Sequence, residues 1–419
     1  MTASLAPFRH RAFATYWSAR LFWTLGTQVQ LTAMGWQIYD LARDRGDSVQ
    51  EGAFLLGLVG LSQFLPLLVF SLWGGQVADR HDRRAIILIG LVVKLALALV
   101  LVALAGQGPD MVVASILAVA AVTGLLNAFL PAASSAMVAN LVPREELPQA
   151  IALMSLAFTG ASIIGPAMGG LLYQGGADVA YGVATGLFGL AVLMVALTAA
   201  PPQVRIEGGR AIAQIKEGLR HVRDNPIVLG AMSLDLAVVL LAGASALLPV
   251  FARDILHAGP EALGLLRSAS AAGAAVVAAA LAVRPISSRV GLWMFGAVAV
   301  FGLATIGFGL SRTIWLSVAC LAVAGAADMI SVYVRSSLIQ LATPDAMRGR
   351  VGAVSFVFIS ASNELGDFQS GVAARFLGPV VAVVAGGLGA LAIAAAWMKL
   401  FPALAKADRF EDAAPREQG

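Results

Sequence analysis

Apolar runs of about 20 residues, separated by short charged or Pro/Gly-rich turns, follow one another along the whole 419-residue chain, and they decide its solvent. A run of that length crosses ~30 Å of hydrocarbon as an α-helix, whereas a buried core helix needs only about 10–14 residues. Twelve spans are predicted, over residues 14–41, 53–78, 85–106, 111–139, 149–173, 179–200, 227–252, 261–283, 290–310, 313–341, 351–376 and 379–400. Period-two alternation is absent from them, which argues against an outer-membrane barrel. The 12% content of charged residues is about half that of a soluble protein. The expected fold class is an all-α polytopic membrane protein.

The turns carry the orientation. With an even number of spans both termini share a side, and that side holds 19 of the 28 Lys and Arg against five on the other. The termini are therefore expected in the cytoplasm, and the net charge of +4 reads as orientation chemistry with no nucleic-acid partner. The first span exceeds signal-peptide length and shows no convincing cleavage site, so it is expected to be retained. Cys320 is the sole cysteine and can form no intrachain disulfide.

The longest connection, Pro201 to Pro226, contains an amphipathic stretch in which Ile212, Ile215, Leu219 and Val222 fall on one helical face. It divides the chain into an N-terminal half (1–200), a cytoplasmic linker (201–226), a C-terminal half (227–401) and a cytoplasmic tail (402–419). The halves show a weak repeat at an offset of 201 residues: Gly90 falls on Gly291, Pro143 on Pro344, Gly165 on Gly366 and Gly170 on Gly371. Two six-helix bundles related by an axis along the membrane normal are the expected consequence.

Charge within the spans points to mechanism, because an ionised side chain at bilayer depth costs at least ~2.5–3.5 kcal/mol. Asp235, Asp328, Glu364 and Asp367 are the proton-carrying candidates, since binding a proton removes the charge. The repeat places Asp328 at the position of Asn127, Arg335 at Ser134, Glu364 at Ile163 and Asp367 at Pro166, so the C-terminal half has acquired charge. A buried structural ion pair, for instance Arg335 with one of these acids, is the alternative for each. Arg20 and Arg267 either bind anionic groups or snorkel to an interface. Lys94 lies mid-span with no partner deducible from the sequence.

Polar and aromatic residues complete the candidate substrate cavity: Arg20, Gln28 and Gln37 on the first span, Gln63 on the second, Asn127 on the fourth and Arg335 on the tenth. Gln30 and the tryptophans Trp17, Trp23 and Trp36 are further contributors, with an interfacial belt as the alternative for the tryptophans. No phosphate loop, metal cluster or nucleophile triad is present, so no enzymatic activity, metal or cofactor is expected.

Three motifs are specific. Between the second and third spans, Gly74-Gly75-Gln76-Val77-Ala78-Asp79-Arg80-His81-Asp82-Arg83-Arg84 resembles the major facilitator superfamily signature G-x-x-x-D-R-x-G-R-R, with Gly75, Asp79, Arg80, Arg83 and Arg84 matching and Asp82 in place of the second glycine. In the fifth span, Gly165-Pro166-Ala167-Met168-Gly169-Gly170 resembles the G-P-x-x-G-G core of the superfamily's antiporter motif. The stretches TPDAMRGRVGAV, SNELGDFQSG and GWQIYDLA resemble the enterobactin-exporter-like branch over nearly the whole chain.

That resemblance implies a twelve-helix secondary transporter in a bacterial inner membrane that works by alternating access, takes its energy from the proton gradient and functions as a monomer. It implies export of a small amphipathic siderophore-like or drug-like molecule. Uptake by a symporter of the same fold, or a membrane scaffold or sensor, are the alternatives. It also implies that Asp79 engages the start of the eleventh helix near Gly349–Val351, with Arg348 and Arg350 as further members of this conformational gate.

Overall fold

The computed structural model describes residues 5–199, 211–344 and 347–410; the side chains of residues 72, 79, 211–216 and 353 lie outside the described set. Six helices form the N-terminal part: α1 (Arg11–Asp44), α2 (Val49–Arg80), α3 (Arg83–Leu104), α4 (Pro109–Val138), α5 (Leu147–Tyr173) and α6 (Ala177–Leu197). The linker helix α7 (Ala211–Asp224) comes next. Then come α8 (Pro226–Ala242), a short turn α9 (Leu248–Val250), α10 (Pro260–Val283), α11 (Val290–Leu310), α12 (Ile314–Ala342), α13 (Arg348–Leu377), α14 (Pro379–Leu400) and a tail turn α15 (Pro402–Ala405). Among the described residues, ten helical segments are long and apolar enough to cross a membrane. Two further helices, α1 and α13, have 34 and 30 residues and are more polar, with Arg20 on one and Glu364 and Asp367 on the other.

One expected span is broken. The seventh, read as continuous over 227–252, starts with Pro226 at its first turn, where Asn225 Oδ1 accepts from the amides of Ile227 (3.1 Å) and Val228 (3.2 Å). It stops at Ala242, and after Gly243 and Ala244 the chain resumes as a 3-10 turn (Ser245–Leu247), α9 and a π-helical turn (Phe251–Ile255). Gly243 is extended at the break, and Ser370 Oγ donates to the Gly243 carbonyl that the helix no longer satisfies.

The chain divides into two compact units. Unit 1 comprises Met1–Gly46, Ser62–Ala211 and Ala258–Ser268; unit 2 comprises Asp47–Leu61, Ile212–His257 and Ala269–Gly419. The opening of α2 thus belongs to unit 2, and the opening of α10 to unit 1.

Within unit 1 the core gathers Phe13, Tyr16 and Val29 of α1, Leu91 of α3, Leu130 of α4, Leu153 of α5 and Phe188 of α6. Unit 2 has its own core, built from Val228 and Leu234 of α8, Met294 and Phe295 of α11, Leu338 of α12, Val351 and Val354 of α13 and Ile393 of α14.

The 201-residue repeat is visible inside each unit. In unit 1, Gly165 of α5 lies against Gln28 and Leu25 of α1, and Gly170 against Pro260, Glu261 and Gly264 of α10. In unit 2, Gly366 of α13 lies against Val239 and Leu240 of α8, and Gly371 against Gly57 and Ala53 of α2. Matching glycines serve matching helix pairs. The turns into α6 and α14 both use a left-handed glycine, Gly176 at φ 114° and Gly378 at φ 82°, where a side chain would be strained.

The linker helix packs against the start of α13. Its inward face is Gly218, whose backbone abuts Arg350, together with Val222, which is buried; Leu219 is 46% exposed. A continuation of unit 2 also reaches past α14. The amides of Val290 and Gly291, at the start of α11, donate to the carbonyls of Asp408 (3.2 Å) and Ala407 (2.9 Å), and Arg289 N donates to Asp408 Oδ1 (3.0 Å). Leu404 is fully buried beneath this strap.

Candidate transport site

The basic turn after α2 is explained by helix ends. Asp82, the departure from the signature, caps α3 by accepting from Arg84 N (2.9 Å). Arg83 Nη1 donates to the Ala136 carbonyl (3.2 Å) in the last turn of α4, and Arg84 Nε donates to the Val195 carbonyl (3.1 Å) in the last turn of α6. Both guanidiniums therefore sit where the helix dipole is negative and carbonyls are orphaned. Arg80 is exposed. The close helix approach expected at Gly75 occurs one residue earlier, where Gly74 abuts the Ala128 carbonyl of α4; Gly75 faces open space. The Asp79 side chain is outside the described residues. At the start of α13, Arg348 Nε donates to the Gln340 carbonyl (3.1 Å) and Arg350 pairs with Glu217 of α7 at 2.6 Å.

On α5 the motif residues divide between two neighbours. Gly165 and Gly169, one turn apart, face α1 at Gln28 and at Val29 and Thr32, while Gly170 faces α10. The Pro166 carbonyl also lies against Gly264 of α10, and Ser268 Oγ donates to the Ile163 carbonyl at 2.6 Å. Pro166 withdraws one backbone donor from the helix, and Ser268 uses a carbonyl of the same segment.

The acids of unit 2 occupy three helices. Asp235 on α8 and Arg335 on α12 form a buried ion pair, with 8% and 4% of their surfaces exposed. Asp328 lies seven residues before Arg335 on α12, ~10.5 Å along the axis, too far for that guanidinium to serve both. It is exposed, and neither it nor the half-buried Glu364 on α13 has an ion-pair partner among the described residues. Asp367, half-buried one turn beyond Glu364, faces the opening of α2: a Cβ on Gly60 would stand 2.9 Å from the Asp367 Cβ and 2.8 Å from the Glu364 carbonyl oxygen. The two carboxyl-bearing residues therefore lie beside a glycine-lined helix crossing.

In unit 1 the polar residues read from sequence fall into two kinds. Gln37 is buried and satisfied, accepting from Tyr181 Oη (2.7 Å) and donating to the Ala105 carbonyl (3.3 Å). Gln63 is buried where its backbone meets Gly124 of α4, and Gln28 packs against Gly165. Asn127 is half-buried. Arg20 donates from Nη1 to Ser134 Oγ of α4 (3.2 Å) and lies over the ring of Trp23, 4.6 Å from its centroid. Lys94 is buried on α3, 5.9 Å from the ring centroid of Phe188. Trp17 is held by donation to the Leu153 carbonyl at 2.9 Å.

Sequence reasoning missed the tail residue Asp408 as a cap for α11, and Phe158, whose ring lies 5.7 Å from the Arg20 guanidinium carbon. No periodicity announces the first; for the second, an aromatic on an apolar helix is indistinguishable from a lipid-facing residue until a cation is placed beside it. Among the described residues, no group of three or more His, Cys, Asp or Glu could hold a metal ion.

The sequence matches the family described as "Transmembrane secretion effector" over residues 2–418. It is 30% identical over 336 residues to the enterobactin exporter EntS of Citrobacter koseri, covering 80% of this chain and 76% of that protein. It is 29% identical over 342 residues to the enterobactin exporter EntS of Shigella boydii serotype 18, covering 80% of each. In fold it is similar to a D-xylose–proton symporter, with a TM-score of 0.73 at 13% identity over 94% of this chain and 98% of the other. A POT family transporter superposes with a TM-score of 0.72 at 11% identity, over 94% and 97% of the two chains. Ten apolar spans, two repeated helical units and these likenesses converge: the chain belongs to the transmembrane secretion effector family and is a secondary transporter of the major facilitator fold.

Proposed function

We propose that this transporter exports a small amphipathic molecule, of siderophore-like or drug-like size, from the cytoplasm across the bacterial inner membrane in exchange for entering protons. Both termini face the cytoplasm in this reading, and one chain is the working unit. The observation that carries it is the disposition of charge in unit 2: Arg335 is committed to Asp235, while Asp328 and Glu364 stand mid-helix with no ion-pair partner among the described residues. An unpaired carboxylate at bilayer depth is costly and is relieved by taking up a proton. Asp328, Glu364 and Asp367 are the proton carriers, and Asp235 with Arg335 holds α8 to α12. The exporters named among the relatives, and the glycine pattern of α5, support the outward direction.

Gly75, Asp79, Arg80, Arg83, Arg84, Arg348 and Arg350 form the cytoplasmic gate motif in this reading, with Arg83, Arg84 and Arg348 fastening helix ends while the gate moves. Accumulation of cargo in inside-out vesicles under an imposed pH gradient tests the reading. Glu364→Gln and Asp328→Asn are expected to abolish gradient-driven accumulation while leaving counterflow exchange of the cargo intact. Wild-type transport indifferent to the gradient, with both substitutions silent, overturns proton antiport, and accumulation in right-side-out vesicles instead assigns uptake.

A further inference from the structure

The repeat sets two side-chain pairs at equivalent places. In unit 2, Asp235 of α8 meets Arg335 of α12. In unit 1 the equivalent helices are α1 and α4, and residue 134, at the repeat position of Arg335, is a serine. Ser134 meets Arg20 of α1, and Tyr16, one turn earlier, shares its hydroxyl with the same serine at 2.7 Å. Where unit 2 neutralises its cation, unit 1 sets a cation beside a hydroxyl.

Arg20 has no ion-pair partner among the described residues, and its side-chain hydrogen bond goes to Ser134. It stands nine residues into α1, ~14 Å along the axis, and is half-buried. A guanidinium there is costly against lipid, so it faces a polar cavity or a bound anion. Of its five N–H donors, one is engaged, by Ser134 Oγ. The remaining fork suits two acceptor oxygens in one plane.

Two aromatic faces bracket that fork. Trp23 lies 4.6 Å from the guanidinium carbon on α1, and Phe158, 49% exposed, lies 5.7 Å away on α5. Both are within the ~6 Å over which a cation and an aromatic face attract. The Phe158 ring is exposed and lies beside the guanidinium, where a second planar group can stack.

We infer that Arg20, Ser134, Trp23 and Phe158 form an anion subsite for a cargo in which a carboxylate or similar oxyanion is carried on a planar aromatic ring. The oxyanion takes the free edge of the Arg20 fork, and the ring stacks against Phe158. This rests on the reading of the chain as a small-molecule exporter and names the class of cargo. It is tested by equilibrium binding without a gradient, which a failure of proton coupling leaves untouched.

Calorimetric titration of the purified full-length protein in nanodiscs uses three probes: 2-naphthoate, 2-naphthamide and decalin-2-carboxylate. The wild type is expected to bind 2-naphthoate about tenfold or more tightly than either other probe, as one added charged hydrogen bond allows. Arg20→Gln erases the preference over the amide, and Phe158→Leu erases the preference over the saturated acid while keeping the charge preference. Ser134→Asp, which supplies the missing counter-charge, weakens 2-naphthoate about tenfold and leaves 2-naphthamide unchanged, and it stands in should Arg20→Gln fail to fold. Equal binding of the three probes, no binding of 2-naphthoate, or a charge preference that survives both Arg20→Gln and Ser134→Asp overturns the subsite.

Discussion

Two units built on one repeat spend their intramembrane charge in opposite ways. Unit 1 keeps cations in its helices, Arg20 beside a serine and Lys94 beside Phe188, and Asp79, the acid of its signature turn, belongs to the last turn of α2. Unit 2 keeps carboxyls, and closes its buried cation Arg335 onto Asp235. The helices at the two places are equivalent, so the difference lies in side chains grafted on a common frame. A duplicated fold can thus place different charge on its two halves without either fold changing.

The largest test of this contrast is the pair itself. Arg335→Met leaves Asp235 buried without its counter-charge and is expected to cost about 3–5 kcal/mol of stability, read as the midpoint of thermal unfolding in detergent. Asp235→Leu combined with Arg335→Met is expected to recover most of that loss, because two apolar groups of similar volume replace two desolvated charges. Arg20→Met in unit 1 has no buried counter-charge to orphan, since Ser134 keeps its bond to Tyr16, and is expected to cost far less. Equal losses for Arg20→Met and Arg335→Met would end the distinction between a paired and an unpaired cation.

The next test asks whether the units match where the comparison says they should. Gly60 of α2 meets Glu364 and Asp367 of α13 inside unit 2, and Gly170 of α5 meets Pro260 and Glu261 of α10 inside unit 1. Gly60→Ala and Gly170→Ala each press a methyl group into backbone atoms, at about 1–3 kcal/mol apiece. Each is expected to lower the transport rate along with stability. Gly75→Ala, which meets open space, is the control and is expected to leave the melting midpoint unchanged. A strong loss at one crossing with none at the other would mean that the repeat is preserved in shape alone.

How far the sequence anticipates this depends on the range of the physics. Span length and the glycines of the repeat are local or periodic, and each is legible because a bilayer demands about 20 apolar residues and close helix contact demands a missing side chain. The break at Gly243 is not legible, since the segment stays apolar through Val250 and only the Ser370 donor across the unit makes the unwound carbonyl tolerable. Apolar periodicity groups Leu219 with Val222 on one face of the linker helix but does not say which side docks; Gly218 against Arg350 decides it. The candidate acids are legible as charges in spans, but the choice of Asp235 as the partner of Arg335 requires the geometry of α8 against α12.

The smallest effect concerns equivalent helix starts. In unit 1, α3 is capped by Asp82, one residue before it in sequence, whereas in unit 2 α11 is capped by Asp408, which arrives from beyond α14. Replacing either by alanine removes one side-chain cap and is expected to cost ~1 kcal/mol. The two losses differ in their reach. Asp82→Ala frees a single amide in a turn that its neighbours still hold. Asp408→Ala weakens the hold on a strap whose backbone carbonyls also serve Val290 and Gly291, so the amides of those two residues are expected to exchange hydrogen faster, with the α3 amides unaffected. Unchanged exchange at Val290 and Gly291 would mean that buried Leu404 alone anchors the strap, and that the distant cap in unit 2 is no more than the near cap of unit 1 supplied by a longer route.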